Sequence, residues 1–296
     1  MEAAYNIRLS IVKFMFKIIE KSTPATSINK FVIEAPDIAK KTLPGQFVIL
    51  RLHEKGERIP ITVADSDKVK GTITLFIQEV GKTTVEMGKL KSGDTILDAV
   101  GPLGVPSHIE NFGTALCIAG GVGVAVMYPV AKALKEKGNK IISILGARSK
   151  NFIVLENEMK EISAEFFLTT DDGSYGQKGF VSDVLKTLLA TCHSPLADIV
   201  YAIGPVQMMR VVSEITKQHN LKTIVSLNPV MVDGTGMCGA CRVSIGGVTK
   251  FACVDGPDFD GHLVNWAELT SRLSVFKRKE KESLTHHCRL LESIKK

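Results

Sequence analysis

Residues 113–138 read G-T-A-L-C-I-A-G-G-V-G-V-A-V-M-Y-P-V-A-K-A-L-K-E-K-G. The apolar run from Gly113 to Ala119 has strand length and no polar alternation, which predicts a strand buried on both faces. Gly120-Gly121-Val122-Gly123 turns the chain, and the periodic stretch after it predicts a helix closed by a glycine C-cap at Gly138. The unit then recurs. I-I-S-I-L-G, E-F-F-L-T-T-D-D-G and D-I-V-Y-A-I-G-P read as further buried strands with helical pattern between them. Strands alternating with helices give a parallel sheet covered on both faces.

Ligands of such sheets sit outside the carboxyl ends of the strands. Here those ends are Gly120-Gly121-Val122-Gly123, Gly146-Ala147-Arg148, Thr170-Asp171-Asp172 and Gly204-Pro205. Together they outline a dinucleotide cleft. The first is not a full G-x-G-x-x-G, because Val126 stands where the third glycine would be, and a merely tight strand-to-helix turn also accounts for its glycines.

Upstream, from residue 15 to about 108, the pattern is different. F-K-I-I-E, N-K-F-V-I-E-A, G-Q-F-V-I-L-R-L, I-P-I-T-V-A, G-T-I-T-L-F-I-Q-E-V and D-T-I-L-D-A-V are short runs bounded by turns such as Pro44-Gly45. Six such strands predict a small antiparallel barrel. Two of its segments have the residue types to hold a phosphorylated, planar ligand. Arg58, Pro60, Ile61 and Thr62 combine a cation, a rigid turn and a hydroxyl; Gly81, Lys82, Thr83 and Thr84 follow a strand presenting Phe76, Ile77 and Gln78. A purely structural turn is the competing explanation for each.

Downstream, residues 233–253 read D-G-T-G-M-C-G-A-C-R-V-S-I-G-G-V-T-K-F-A-C. Cys238, Cys241 and Cys253 are spaced C-x2-C-x11-C in a glycine-rich loop, which can fold tightly enough to bring three thiolates to one metal centre. Asp233 stands where a plant-type C-x4-C-x2-C loop has its first cysteine, so its oxygen is the candidate fourth ligand; Asp233-Gly234 also suits a plain turn. His262 offers an alternative, a Cys3His zinc knuckle. Cys117 and Cys192 lie in apolar surroundings and read as core, and His286-His287-Cys288 as part of a surface helix.

Hydrophobic residues at 45% and charged ones at 23% are ordinary for globular chains and exclude disorder. The length of 296 residues calls for two or three domains. Residues 265–296 hold eight Lys/Arg against four Glu, and residues 1–22 four against two, so the +6 net charge sits entirely at the ends. A neutral body excludes a nucleic-acid binder, no apolar run has the ~20 residues needed to cross a bilayer, and the N-terminus lacks a cleavage signal, which points to the cytoplasm. No nucleophile–base pair or paired carboxylates can be placed, which argues against hydrolysis.

Barrel, sheet and cysteine loop together resemble the ferredoxin–NADP reductase superfamily, in the branch with a C-terminal iron–sulfur loop. The stretches 170–183 (T-D-D-G-S-Y-G-Q-K-G-F-V-S-D) and 228–261 are most similar to the small subunits of electron-bifurcating NADH-dependent reduced ferredoxin:NADP oxidoreductases. Electron-transfer subunits of dihydroorotate dehydrogenase are close relatives, but their cluster uses four cysteines, whereas this chain has Asp233. The likeness spans residues 15–264, so we expect a start other than Met1.

The resemblance implies an FAD-binding barrel (15–110), an NAD-binding α/β domain (111–226), a 2Fe-2S domain (227–264) and a helical tail (265–296), after an extension at 1–14. It implies FAD at Arg58, Pro60, Ile61 and Thr62, with Gly81, Lys82, Thr83 and Thr84 at the pyrophosphate. NAD(H) falls at Gly120, Gly121, Val122, Gly123, Arg148, Asp171, Asp172, Gly204, Pro205 and Met208. Asp233, Cys238, Cys241 and Cys253 ligate the cluster. Arg148-Ser149-Lys150 would also suit the 2′-phosphate of NADP. The implied partner is a large FAD/iron–sulfur subunit, with ferredoxin reached indirectly; the alternative partner is a dihydroorotate or sulfide dehydrogenase subunit.

Overall fold

The computed structural model describes residues 15–191 and 196–294. The extension 1–14, Cys192 and the side chains of His286, His287 and Cys288 lie outside the described residues.

The N-terminal unit contains β1 (Phe16–Ala25), β2 (Ile28–Glu34), α1 (Pro36–Lys41), β3 (Phe47–Arg51), β4 (Ile59–Thr62), β5 (Asp65–Asp67), β6 (Thr72–Gln78), α2 (Lys82–Gly88), β7 (Thr95–Ile96) and β8 (Asp98–Leu103). Its strands pair antiparallel in two sheets, ordered β5-β6-β2-β1-β7 and β4-β3-β8, around one core that includes Phe31, Val48, Leu75, Ile77 and Met87. Strict alternation explains the fit. Along β6 every second side chain is buried, Ile73, Leu75 and Ile77, so Phe76 and Gln78 face the other way. The six expected strands become eight. D-T-I-L-D-A-V breaks at Leu97, whose N–H is taken by Leu52 O, and its halves β7 and β8 join different sheets.

The second unit is β9 (Thr114–Gly120), α3 (Val124–Glu136), β10 (Lys140–Ala147), α4 (Glu156–Ile162), β11 (Glu165–Thr170), β12 (Gln177–Lys178), α5 (Val181–Thr191), β13 (Ile199–Ile203), α6 (Val206–Gln218) and β14 (Thr223–Ser226). The third is β15 (Arg242–Ile245), β16 (Val248–Phe251), β17 (Asp258–Asp260), α7 (Trp266–Ser274) and α8 (Lys277–Ile294). The large sheet is ordered β12-β11-β10-β9-β13-β14-β17, parallel except for β17, which runs antiparallel to β14. The four expected parallel strands are thus joined by β14, β12 and β17, the last contributed by chain beyond the cysteine loop. β9 is buried from Ala115 to Gly120, as a central strand under helices must be.

The hydrophobic core on the α5–α6 side of the sheet continues into the cysteine module and the barrel, where it includes Cys241, Val243, Ala252, Cys253, Phe47 and Ile49. The basic tail packs on the body of the protein. α7 is N-capped by Asn265, buries Leu269 and packs on α6 and β15, while α8 lies against α2. Among the described residues no helix is long and apolar enough to cross a membrane.

Candidate functional site

The order of the sheet reverses between β9 and β13, so their carboxyl ends diverge and leave a crevice. Glycine shapes it. A Cβ on Gly123 would fall 2.7 Å from Ile203 O, and one on Gly204 3.0 Å from Gly120 N, so a side chain at either position would push the two strand ends apart. The crevice opens into a cleft of about 720 Å³ between the sheet and the barrel, within the range that holds cofactors.

Of the residues singled out from the sequence, the cleft gathers Pro60, Thr62, Gln78, Gly120, Gly121, Val122, Gly123, Arg148, Asp171, Gly204, Pro205 and Met208. Pro60, Thr62 and Gln78 come from β4 and β6, so barrel and sheet face each other across it. Arg58, Ile61, Phe76, Ile77, Asp172 and Gly81 to Thr84 do not line the cleft. Ile77 is turned into the barrel core by the β6 alternation, which corrects the expectation that it presents its side chain to a ring system.

Asp172 accepts the Ser174 N–H at 2.9 Å, and hydrogen bonding by Ser174 holds its carboxyl below the usual carboxylate range. At the start of α2, Thr84 Oγ1 accepts the Val80 and Gly81 N–H groups, both at 3.0 Å. Those two donors are therefore engaged within the turn. The Thr83 hydroxyl donates to Glu57 at 2.6 Å. Lys150 holds its ammonium 5.3 Å from the centre of the Tyr175 ring and is not in the cleft wall, whereas Arg148 is.

The cleft also has walls that the sequence did not announce. Ser226 and Asn228 follow the same strand-end rule at β14, a strand too short to stand out as one. Phe152 and Phe180 line the cleft from the strand-end loops, and Phe180 is 61% exposed, a ring left largely uncovered. Behind Ser226, Asp258 is partly buried, accepts the Ser107 hydroxyl at 2.6 Å through Oδ2 and keeps Oδ1 buried without a partner among the described residues. Burial pushes its carboxyl up, against the opposing effect of the Ser107 hydrogen bond.

The chain leaves the cleft through Pro229 and Met231 and enters the cysteine loop. Gly234, at φ +74°, brings the loop backbone against the barrel, where an added Cβ would fall 2.8 Å from Ile49 and Leu103. Asp233 accepts the Thr235 N–H at 2.9 Å and the Cys238 N–H at 2.7 Å, and the Thr235 bond leads in holding its carboxyl charged below the usual range. The turn reading of Asp233-Gly234 is therefore realised. It does not exclude ligation, because a carboxylate has about four lone-pair sites and two are used.

Cys241 and Cys253, 2% and 1% exposed, point their sulfurs at each other across 3.1 Å, too far for a disulfide, and Cys238 is exposed at the loop surface. Among the described residues no three acidic, Cys or His side chains are already closed around one point. Three soft sulfurs on a glycine-rich loop nevertheless fit the ligand chemistry of an iron–sulfur centre. His262 does not join them. Its Nε2 is 3.0 Å from Thr216 Oγ1 on α6, and burial lowers its pKa, so the zinc knuckle expectation fails.

Barrel, switch-point cleft and thiol loop define a class, a ferredoxin reductase-like oxidoreductase carrying an added iron–sulfur module. Residues 117–214 match the oxidoreductase NAD-binding domain, and residues 228–265 match the iron–sulfur cluster binding domain of dihydroorotate dehydrogenase B. The chain is 51% identical to a dihydroorotate dehydrogenase B electron transfer subunit homolog of Thermotoga maritima, over 90% of this chain and 93% of that protein. It is 34% identical to the Streptococcus mutans electron transfer subunit of dihydroorotate dehydrogenase B, over 84% and 97%. A solved chain of an NADH-dependent reduced ferredoxin-NADP oxidoreductase, described for flavin-based electron bifurcation, superposes with a TM-score of 0.86 at 48% identity, covering 92% of this chain and 98% of that one.

The chain belongs to the family of dihydroorotate dehydrogenase B electron-transfer subunits and their homologues. It is an NAD(P)H-dependent flavin iron–sulfur oxidoreductase subunit, with FAD, a 2Fe-2S cluster and NAD(H) as its cofactors.

Proposed function

We propose that this chain is the small subunit of an electron-bifurcating NADH/ferredoxin:NADP oxidoreductase, working with a large FAD/iron–sulfur subunit and with ferredoxin as a more distant partner. One observation carries the electron-transfer part of this reading. On β3, Phe47 lines the nucleotide cleft and Ile49, two positions on and on the same face, touches the cysteine loop at Gly234. At 3.3–3.4 Å per residue, cleft and loop meet the same strand about 7 Å apart. The match to the bifurcating enzyme and the Asp233 in place of a fourth cysteine support the particular reaction over delivery to dihydroorotate or sulfide.

The residues divide the work by position. Pro60, Thr62 and Gln78 hold the flavin edge, with Ile61 packed behind them on the barrel core and Arg58 and the first turn of α2 toward its phosphates. Gly120 to Gly123 leave room for the dinucleotide backbone at the switch point, with Gly204, Pro205 and Met208 opposite. Arg148 and Asp171 border the far end, where the carboxylate favours the ribose hydroxyls of NAD(H) over a 2′-phosphate. Asp233, Cys238, Cys241 and Cys253 hold the cluster. When bound, FAD supplies hydride exchange with the nicotinamide and the cluster supplies one-electron steps.

The experiment is purification of the native complex, followed by its subunit composition, visible spectrum and NADH-dependent reduction of NADP with ferredoxin. Co-purification with a dihydroorotate-oxidising subunit, or absence of the NADP reaction in an intact complex, overturns the reading. Replacing Asp233 by Ala should change the cluster's visible and EPR spectra. An unchanged cluster in that variant removes Asp233 from the ligand set.

A further inference from the structure

Two arginines grip the C-G-A-C turn, and neither has a part in the reading above. Arg242 follows Cys241 directly, and its Nη1 donates to Gly239 O at 3.2 Å. Arg272, on α7, donates from Nη2 to Ala240 O at 3.0 Å. Gly239 and Ala240 are the two residues between Cys238 and Cys241, so both carbonyls of the turn are held from outside by guanidinium groups.

The consequence follows from peptide planarity. In a trans peptide C=O and N–H point in opposite directions, so pulling Gly239 O outward turns the Ala240 N–H inward. That N–H points at Cys238 Sγ, a candidate ligand sulfur, from 3.5 Å. Arg272 comes from a firmly placed helix. Asn265 accepts the Glu268 N–H at 3.1 Å, Trp266 Nε1 donates to Gly261 O at 3.2 Å and Leu269 is buried. Neither guanidinium has a carboxylate within ion-pair distance among the described residues. Both positive charges are therefore left facing the loop.

We propose that Arg242 and Arg272 are positioning residues that raise the reduction potential of the cluster. This rests on the cluster being held by this loop. A centre that takes up one electron gains one negative charge, so two fixed cations beside it stabilise the reduced form, and an N–H aimed at a ligand sulfur acts in the same direction. Cys238, which receives that N–H, is also the exposed one of the three cysteines. A purely structural role would also hold the turn, but it would leave the potential where it is.

The test is a redox titration of the complex followed by EPR, with iron and sulfide content measured for every variant. Arg242→Gln and Arg272→Gln should each keep full iron and move the reduction equilibrium about threefold toward the oxidised form. That is about 28 mV at 59 mV per tenfold for one electron. The double variant should show roughly the sum, the flavin potential should not move, and Arg272→Lys, which keeps the charge, should recover at least half of the shift.

Wild-type potential in both iron-replete glutamine variants overturns the proposal. So does loss of iron from them, which would make the arginines scaffold alone, and so does an Arg272→Lys variant no better than Arg272→Gln. Absence of iron from the wild-type complex is a different result, since it refutes the cluster reading itself.

Discussion

At the scale of single residues, the site is built from positions whose backbone geometry leaves little choice. Gly234 combines φ +74° with a Cβ position 2.8 Å from Ile49 and Leu103. Gly234→Val should therefore cost about 1–3 kcal/mol in backbone strain alone and lift the loop off the barrel, read as a lower melting temperature together with loss of iron. Asp258 shows a different constraint. Its folded-state pKa is raised by burial, so its contribution to stability is fully present below the unfolded value of about 3.9 and is lost as pH rises through the folded value. Asp258→Asn cannot ionise. The variant should gain melting temperature relative to wild type on going from pH 4 to pH 7; an unchanged difference would mean that the carboxyl has the same pKa folded as unfolded. Sequence showed neither the partly buried carboxyl nor the turning of Ile77 away from the cleft, because both depend on which face of a strand meets a core assembled from distant segments.

At the scale of elements, α6 shows how one helix serves two sides. Met208 lines the cleft, where a Cβ on Gly120 would come 2.6 Å from its sulfur, while Met209 is 0% exposed in the core between α6 and the sheet. Met209→Ala should cost about 2–5 kcal/mol of stability by denaturant unfolding. Met208→Ala should instead raise the KM for NADH with a smaller loss of stability. Equal loss in both would assign Met208 to packing. The strand ends Gly120–Gly123, Gly146-Ala147-Arg148 and Gly204-Pro205 were legible because parallel sheets place ligands at carboxyl ends whatever the rest of the fold does. The splitting of D-T-I-L-D-A-V into β7 and β8 was not legible. Its apolar pattern is continuous, and only the pairing of β7 with β1 and of β8 with β3 assigns its halves to separate sheets.

At the scale of the whole molecule, the cleft and the cysteine loop meet on one strand, β3, and the loop reaches the surface at Cys238. Met237, 88% exposed beside Cys238, and the exposed Val232 and Val254 leave apolar side chains uncovered on the loop, a surface suited to the partner subunit of the proposed function. Met237→Glu should weaken association with the large subunit in size-exclusion chromatography while the iron content of the small subunit stays unchanged. Undiminished association would place the interface elsewhere. The sequence by itself determined the three kinds of structure, the dinucleotide strand ends and the thiol spacing. These are local facts, set by side-chain periodicity, by glycine's conformational freedom and by the small number of residues that can ligate iron. The tertiary structure alone decided that β17 returns to complete the nucleotide sheet, that α7 brings Arg272 to the cysteine turn, and that Phe47 and Ile49 join the cleft to the loop. The reason is physical: each of these contacts is fixed by the burial of apolar surface between segments far apart in the chain, and no local pattern encodes which surfaces will meet.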